Sequence, residues 1–214
     1  MLPDVLTNPM SDNSKSAVWN QRYAVDDYIF GTEPSDLLTR HSHYLKAGEA
    51  ALAIADGEGR NGVYLARQGL QVTSFDISPV GIAKAGRLAV EQRTTLTILE
   101  SDITSWKWQP EAFDAVVGIF FQFLDPVARA QVFAGIRTTL KPGGLIFLRG
   151  YTPRQLHYKT GGPSQEENLY TSELLKSAFA EFEPLLLEEH EVELREGPRH
   201  TGMSAFIDFI ARKN

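Results

Sequence analysis

The 214-residue sequence contains no cysteine. That absence excludes a disulfide framework, a thiolate metal site and a cysteine nucleophile. No apolar run approaches the span of a bilayer, and the N-terminus carries no charged-then-apolar leader pattern, so a cytoplasmic protein without membrane partners is expected. An excess of positive charge is also missing. Lys and Arg number 21 against 27 Asp and Glu, a net charge of -6, and an extended nucleic-acid surface needs a basic footprint. There is no internal repeat and no low-complexity linker, which leaves one domain with room for a full core. A G-x-S-x-G elbow is absent, so a serine-hydrolase site is unsupported. Histidine is scarce. His41 and His43 lie two apart on an expected helix and so point to different faces, and no His–carboxylate spacing suggests a metal site. His190 falls on an expected strand and reads as structural. A small-molecule partner is expected, and a monomer or homodimer.

What is present is an alternation of short apolar runs and helical patterns. Residues 1–16 are polar and turn-rich and read as a flexible arm, ahead of a single domain over residues 17–214. Ala51–Ala55, Gln71–Asp76, Leu96–Ser101, Phe113–Phe121 and Leu145–Gly150 read as strands. Helices are expected from Asn61, over Pro79–Glu91 behind a Ser78 cap, and from Asp125-Pro126 to Leu140, where Lys141–Gly144 should break the last of them. Strands and helices alternating at this length imply right-handed crossovers and a parallel sheet buried on both faces. The last third differs. A helix over Leu169–Phe182 is followed by two strands, Pro184–Leu194 and Gly202–Asn214. Their connection is too short for a crossover helix, so they should pair antiparallel. The fold class is therefore α/β, a doubly wound, Rossmann-like sheet of seven strands, made mixed by a C-terminal hairpin.

Open α/β sheets bind ligands at the carboxyl ends of their strands. Here the first strand runs into Asp56-Gly57-Glu58-Gly59, the second ends on Asp76 and the third is followed by Asp102. Glycines let the backbone pass close under a ligand and leave N–H groups free at a helix start. A carboxylate at Asp76 suits the two hydroxyls of a ribose, and one at Asp102 suits an adenine amino group, which together describe an adenosine site. Gly57 to Gly62 also satisfies G-x-G-x-x-G, the dinucleotide fingerprint. Asp56 and Glu58 flank its first glycine, however, and their carboxylates should repel a diphosphate and suit a cationic ligand. An adenosine joined to an ammonium and a sulfonium is S-adenosylmethionine.

The chain resembles the class I S-adenosylmethionine-dependent methyltransferases. The motifs are "IADGEGRN", "SFDIS", "ESDIT", "FDAVVGIFF" and "LKPGG", within about Ala51 to Gly150. Inside that superfamily it resembles the tellurite-resistance and thiopurine-methyltransferase branch, through "VWNQRYAVDDYIFGTEPSDLL" near the N-terminus and "REGPRHTG" in the last hairpin. The resemblance implies strand order 3-2-1-4-5-7-6, with residues 17–46 as an N-terminal lid, 50–150 as the cofactor core and 151–214 on the substrate side. It implies that Gly57 and Gly59 underlie the methionine part and that Asp56 or Glu58 meets its ammonium. Asn61 would help with its carboxylate. Asp76 and Ile77 would take ribose and adenine, and Asp102 and Ile103 the adenine edge. Gly118 and Ile119 would lie beneath the sulfonium, with Tyr28 and Gly31 closing the lid. Arg154, His157 and Tyr158 on the loop after the fifth strand, with Arg195, are expected to meet substrate. Arg199 and His200 are expected to be catalytic, with His200 as base. The branch points to soft acceptors, a thiol or a selenium or tellurium species. Two rivals stand beside this reading: an NAD-dependent oxidoreductase and a non-catalytic S-adenosylmethionine-binding protein.

Overall fold

The computed structural model describes residues 12–195 and 201–214. A seven-stranded sheet organises them: β1 (Ala50–Ile54), β2 (Gln71–Asp76), β3 (Thr97–Glu100), β4 (Phe113–Ile119), β5 (Leu140–Tyr151), β6 (Phe182–Arg195) and β7 (Thr201–Lys213). Their order across the sheet is β3-β2-β1-β4-β5-β7-β6. The first five are parallel, and β7 runs antiparallel to both β5 and β6. Both the order and the hairpin agree with expectation.

Helices α1 (Asp12–Tyr23), α2 (Asp36–Arg40), α3 (Arg60–Arg67), α4 (Pro79–Glu91), α5 (Pro126–Thr139), α6 (Gln155–Tyr158) and α7 (Ser172–Ala178) cover the sheet. Three starts carry a side-chain cap: Ser78 accepts from the Gly81 N–H, Asp125 from Ala128 and Thr171 from Leu174. Two of these are followed by proline, which loses no helical bond at the first position. The central strands bury both faces. Leu52, Val116, Ile146, Leu148 and Phe209 pack with Phe133 of α5 and Leu175 of α7. Ala51, Ala115, Phe147 and Ile210 pack on the other side with Leu37 and Leu38 of α2 and Leu65 of α3.

Two expectations need correction. Lys141–Gly144 does not separate a helix from a strand but lies within β5, which pairs from Leu140 with an irregularity opposite Phe113 and Ala115. Gly143, at φ +77°, absorbs the bend. The helix expected over Leu169–Phe182 forms only over Ser172–Ala178, because Phe182 already belongs to β6. Residue 17, the expected start of the domain, lies within α1 (Asp12–Tyr23).

Candidate active site

β1 delivers the chain into a turn with left-handed backbone at every second residue: Ala55 (φ +48°), Gly57 (+58°) and Gly59 (+89°). Glycine is required at Gly59, since a Cβ there would lie 2.5 Å from that of Ala85. The path is fixed from below by acids. Asp56 Oδ2 accepts from the Ser74 hydroxyl and the Gly62 N–H, each at 3.0 Å. Asp76 Oδ2 accepts from the Gly57 N–H and Oδ1 from the Ser78 N–H, each at 2.9 Å.

Desolvation pushes the Asp56 carboxyl up to about 7 against hydrogen bonds from Ser74 and Gly62, and Asp76 up to about 6 against those from Ser78 and Gly57. A carboxyl whose folded pKa exceeds its unfolded value of about 3.9 holds its proton more tightly when folded. The stability it brings is full below about pH 4 and is lost as pH rises toward 7. Asp56→Asn keeps an oxygen for both donors and removes the titration. The variant is expected to melt a few degrees higher than wild type at pH 8 and at nearly the same temperature at pH 4, read by thermal melts across that range. A wild type equally stable at pH 5 and pH 8 would contradict the assignment.

Asp102, after β3, accepts from the Thr104 N–H and hydroxyl at 2.7 Å and faces Lys15 at 3.5 Å. Burial acts to raise its pKa, but Thr104 and Lys15 outweigh it and hold the carboxyl below its usual value. Asp76 and Asp102 thus stand at neighbouring strand ends beside the glycine turn, as expected. Ile77 is half-buried, whereas Ile103 is drawn into the main core. Gly118 lies against Phe121 and Ile54, where a Cβ would come within 3.0 Å of both, and Ile119 ends β4 partly buried against the core on the α2 and α3 side.

The structure assigns Glu58 a role other than the expected one. Its carboxylate points away from the turn's open side. It pairs with Lys84 at 2.6 Å, both side chains 2% exposed, and accepts from the Ile29 N–H at 2.9 Å and the Phe30 N–H at 3.5 Å. Lys84 also donates to the Asp27 carbonyl, and its ammonium lies 5.3 Å from the centre of the Tyr28 ring, whose hydroxyl donates to the Lys84 carbonyl. This buried pair staples the loop between α1 and α2 to the turn. Asn61 Oδ1 continues the attachment by accepting from the Ser35 N–H, and Gly31 turns the loop at φ +70°. Asp56 faces inward and Glu58 faces the loop, so the sign of the turn does not choose between a sulfonium ligand and a diphosphate. The topology does, because β7 lies antiparallel between β5 and β6 where a dinucleotide sheet of order 3-2-1-4-5-6 continues with its sixth strand.

The expected substrate residues lie after β5 and at the end of β6. Arg154 pairs with Glu191 at 2.8 Å and the Tyr158 hydroxyl bonds the same carboxylate, which raises the Tyr158 pKa. His157 is exposed, and Arg195 pairs with Glu193 at 3.2 Å at the end of β6. Arg154, His157 and Tyr158 follow β5, and their partner Glu191 lies on the edge strand β6, which Arg195 ends. Arg199 and His200 lie outside the described residues. Among the described residues no group of three His, Asp or Glu side chains forms a metal site, and no helix is long and apolar enough to cross a membrane. The sequence reading missed Lys84, yet its place on the Gly81–Ala85–Leu88 stripe of α4 marks it as core-facing.

Residues 51–144 match the methyltransferase domain family. A curated relative, an uncharacterized methyltransferase of Synechocystis sp., is 29% identical over 121 residues, 56% of this chain and 55% of its own, so the chain spans about half that relative's length. Among solved structures, TehB from Haemophilus influenzae aligns over 94% of this chain and 67% of its own with a TM-score of 0.67 at 19% identity. An S-adenosylmethionine-dependent methyltransferase of Methanosarcina mazei aligns over 80% and 95% with a TM-score of 0.61 at 23% identity. At these identities the two structures attest the fold, while the matched segment supports a methyltransferase domain with S-adenosylmethionine as its cofactor. The donor set of that domain fits the cofactor. Each Asp76 oxygen accepts one N–H and so keeps a lone pair for one hydroxyl of a ribose.

Proposed function

We propose that the protein transfers a methyl group from S-adenosylmethionine to a small-molecule acceptor. The observation that carries this reading is the placement of Gly57, Asp76 and Asp102 at the carboxyl ends of three neighbouring strands, in a sheet whose β7 is antiparallel. Gly57 and Gly59 let backbone approach the methionine part. Asp76 takes the ribose hydroxyls and Asp102 the adenine amino group. S-adenosylmethionine supplies, when bound, a methyl group activated by a sulfonium. The chain's own work is positioning: holding an acceptor in line over the end of β4, where Ile119 and Phe120 (φ +57°) close the strand. Positioning of this kind supplies up to about 7–11 kcal/mol of a barrier. A protonated acceptor needs a base, and His200, with Arg199 beside it in sequence, is the residue proposed for it. The acceptor class proposed is a soft nucleophile, a thiol or a selenium or tellurium species. Support for it is the likeness of the Val18–Leu38 segment to the lid of the tellurite-resistance branch.

The test is calorimetric titration with adenosylhomocysteine, S-adenosylmethionine and NAD, followed by a thiol and metalloid acceptor screen. Micromolar binding of the first two without NAD is the expected result, and binding of NAD alone would overturn it. Turnover of a thiol or metalloid acceptor is expected in the screen. Cofactor binding with no methyl transfer to any of them would remove the proposed acceptor class.

A further inference from the structure

Helix α1 lies on the cleft that the proposed function gives to adenosine. Its contacting side chains recur at three- and four-residue spacing and so share one face. Lys15 reaches Asp102 at 3.5 Å. The Ser16 hydroxyl donates to the Ile77 carbonyl at 3.0 Å. Asn20 Oδ1 accepts from the Ser78 hydroxyl at 2.6 Å and the Val80 N–H at 3.5 Å. Tyr23, 3% exposed, rests on the turn itself: a Cβ on Gly57 would lie 2.6 Å from its hydroxyl, and one on Gly81 would lie 3.1 Å from its ring. Asp76, Glu58 and Asp56 surround that hydroxyl closely enough to add to the effect of burial in raising its pKa. The helix therefore engages the ends of β1, β2 and β3 together, and of the groups given to the cofactor it meets Asp102 and the space over Gly57.

The described residues of α1 add little to the apolar core. None of its described residues belongs to a core cluster, and Tyr23 is its one buried apolar side chain. Val18 is 42% exposed, and Trp19 packs on Tyr23 and on the edge of Phe123, itself 46% exposed. A helix of this length is marginal by itself in water, so its order draws on contacts of this kind.

We propose that α1 is a built-in competitor of the cofactor, holding the nucleoside cleft shut until it undocks. The proposal rests on the adenosine reading of the cleft. A lid that only covered a bound ligand would leave Asp102, Ile77 and the Gly57 backbone free beneath it. Here Lys15 stands on one Asp102 oxygen, Ser16 takes the Ile77 carbonyl, and Tyr23 fills the space over Gly57. Apparent affinity is then the intrinsic affinity reduced by the fraction of molecules with α1 undocked.

The experiment uses the full chain and the double variant Ser16→Ala/Asn20→Ala, which removes two contacts outside the core. Adenosylhomocysteine binding is measured by calorimetry and stopped flow, and hydrogen exchange of α1 amides is followed with and without the ligand. The variant is expected to bind about tenfold tighter, chiefly through faster association, because the hydrogen bonds of Ser16 and Asn20 favour the docked state. In wild type, α1 amides are expected to exchange faster on saturation. Equal affinity in both proteins would overturn the competitor while leaving the cofactor reading intact. Weaker binding by the variant, or slower α1 exchange on saturation, would make α1 a clasp and overturn it equally. No binding by either protein would overturn the cofactor reading and the competitor with it.

Discussion

Asp208→Leu is expected to lower stability by about 3–5 kcal/mol in urea denaturation, although Asp208 touches no expected site residue. Its carboxylate is fully buried between β5 and β6. Arg149, 1% exposed, grips it with two parallel bonds of 2.6 and 2.7 Å, while Arg40 and His190 add contacts of 2.9 and 3.0 Å. The remaining guanidinium nitrogen of Arg149 holds the Ser35 hydroxyl and Asp36, which anchors α2. Without Asp208 the buried guanidinium keeps only that half-exposed acid as counter-charge, and the desolvation cost is no longer offset. Arg149→Met/Asp208→Leu removes both buried charges together and is expected to recover more than half of the loss. Burial acts to raise the Asp208 pKa, but hydrogen bonds from Arg149 and His190 outweigh it and hold it down to about 2. The stability tied to a depressed carboxyl is present above its unfolded value of about 3.9 and is lost as pH falls toward 2. The gap between wild type and Asp208→Leu should therefore close between about pH 4 and pH 2. A loss below about 1 kcal/mol at pH 7 would show the pair to be dispensable.

That pair shows where the sequence is legible and where it is not. "LIFLRG" and "AFIDFIA" each carry one charge in an otherwise apolar strand. Two lone opposite charges in strands that must be buried imply a buried partner for each, but the register that joins Arg149 to Asp208 appears only once β7 is known to pair with β5. The parallel core was readable because continuous apolar runs and capped helix starts are local signals. The positions of Asp76 and Asp102 were readable for the same reason, since strand ends follow from strand order. The direction of Glu58 was not. It depends on Lys84, 26 residues away, and on backbone N–H groups of a loop with no periodic signal. The occupation of the cleft by α1 was equally hidden. Ser16 and Asn20 are ordinary polar residues until tertiary structure places them on Ile77 and Ser78.

Asp76→Asn is expected to weaken adenosylhomocysteine binding about 100-fold while changing folding stability by less than about 1 kcal/mol. Two effects oppose each other in the free protein. Asparagine offers only one oxygen, so one of the Gly57 and Ser78 N–H groups meets an NH2 group in place of an acceptor, at a cost of about 1–3 kcal/mol. Against this, the carboxyl is raised to about 6 by burial, so its charge is costly at neutral pH and the neutral amide relieves that cost. The two nearly cancel in folding. They do not cancel in binding, because a ribose presents two hydroxyl donors, and bonds from these to a carboxylate are charge-assisted and lost together. Calorimetry at pH 7.5 alongside thermal melts separates the outcomes. A fallen melting temperature with unchanged affinity would make Asp76 a brace for the glycine turn and nothing more. Lost affinity with an unchanged melting temperature would place the ribose on its carboxylate.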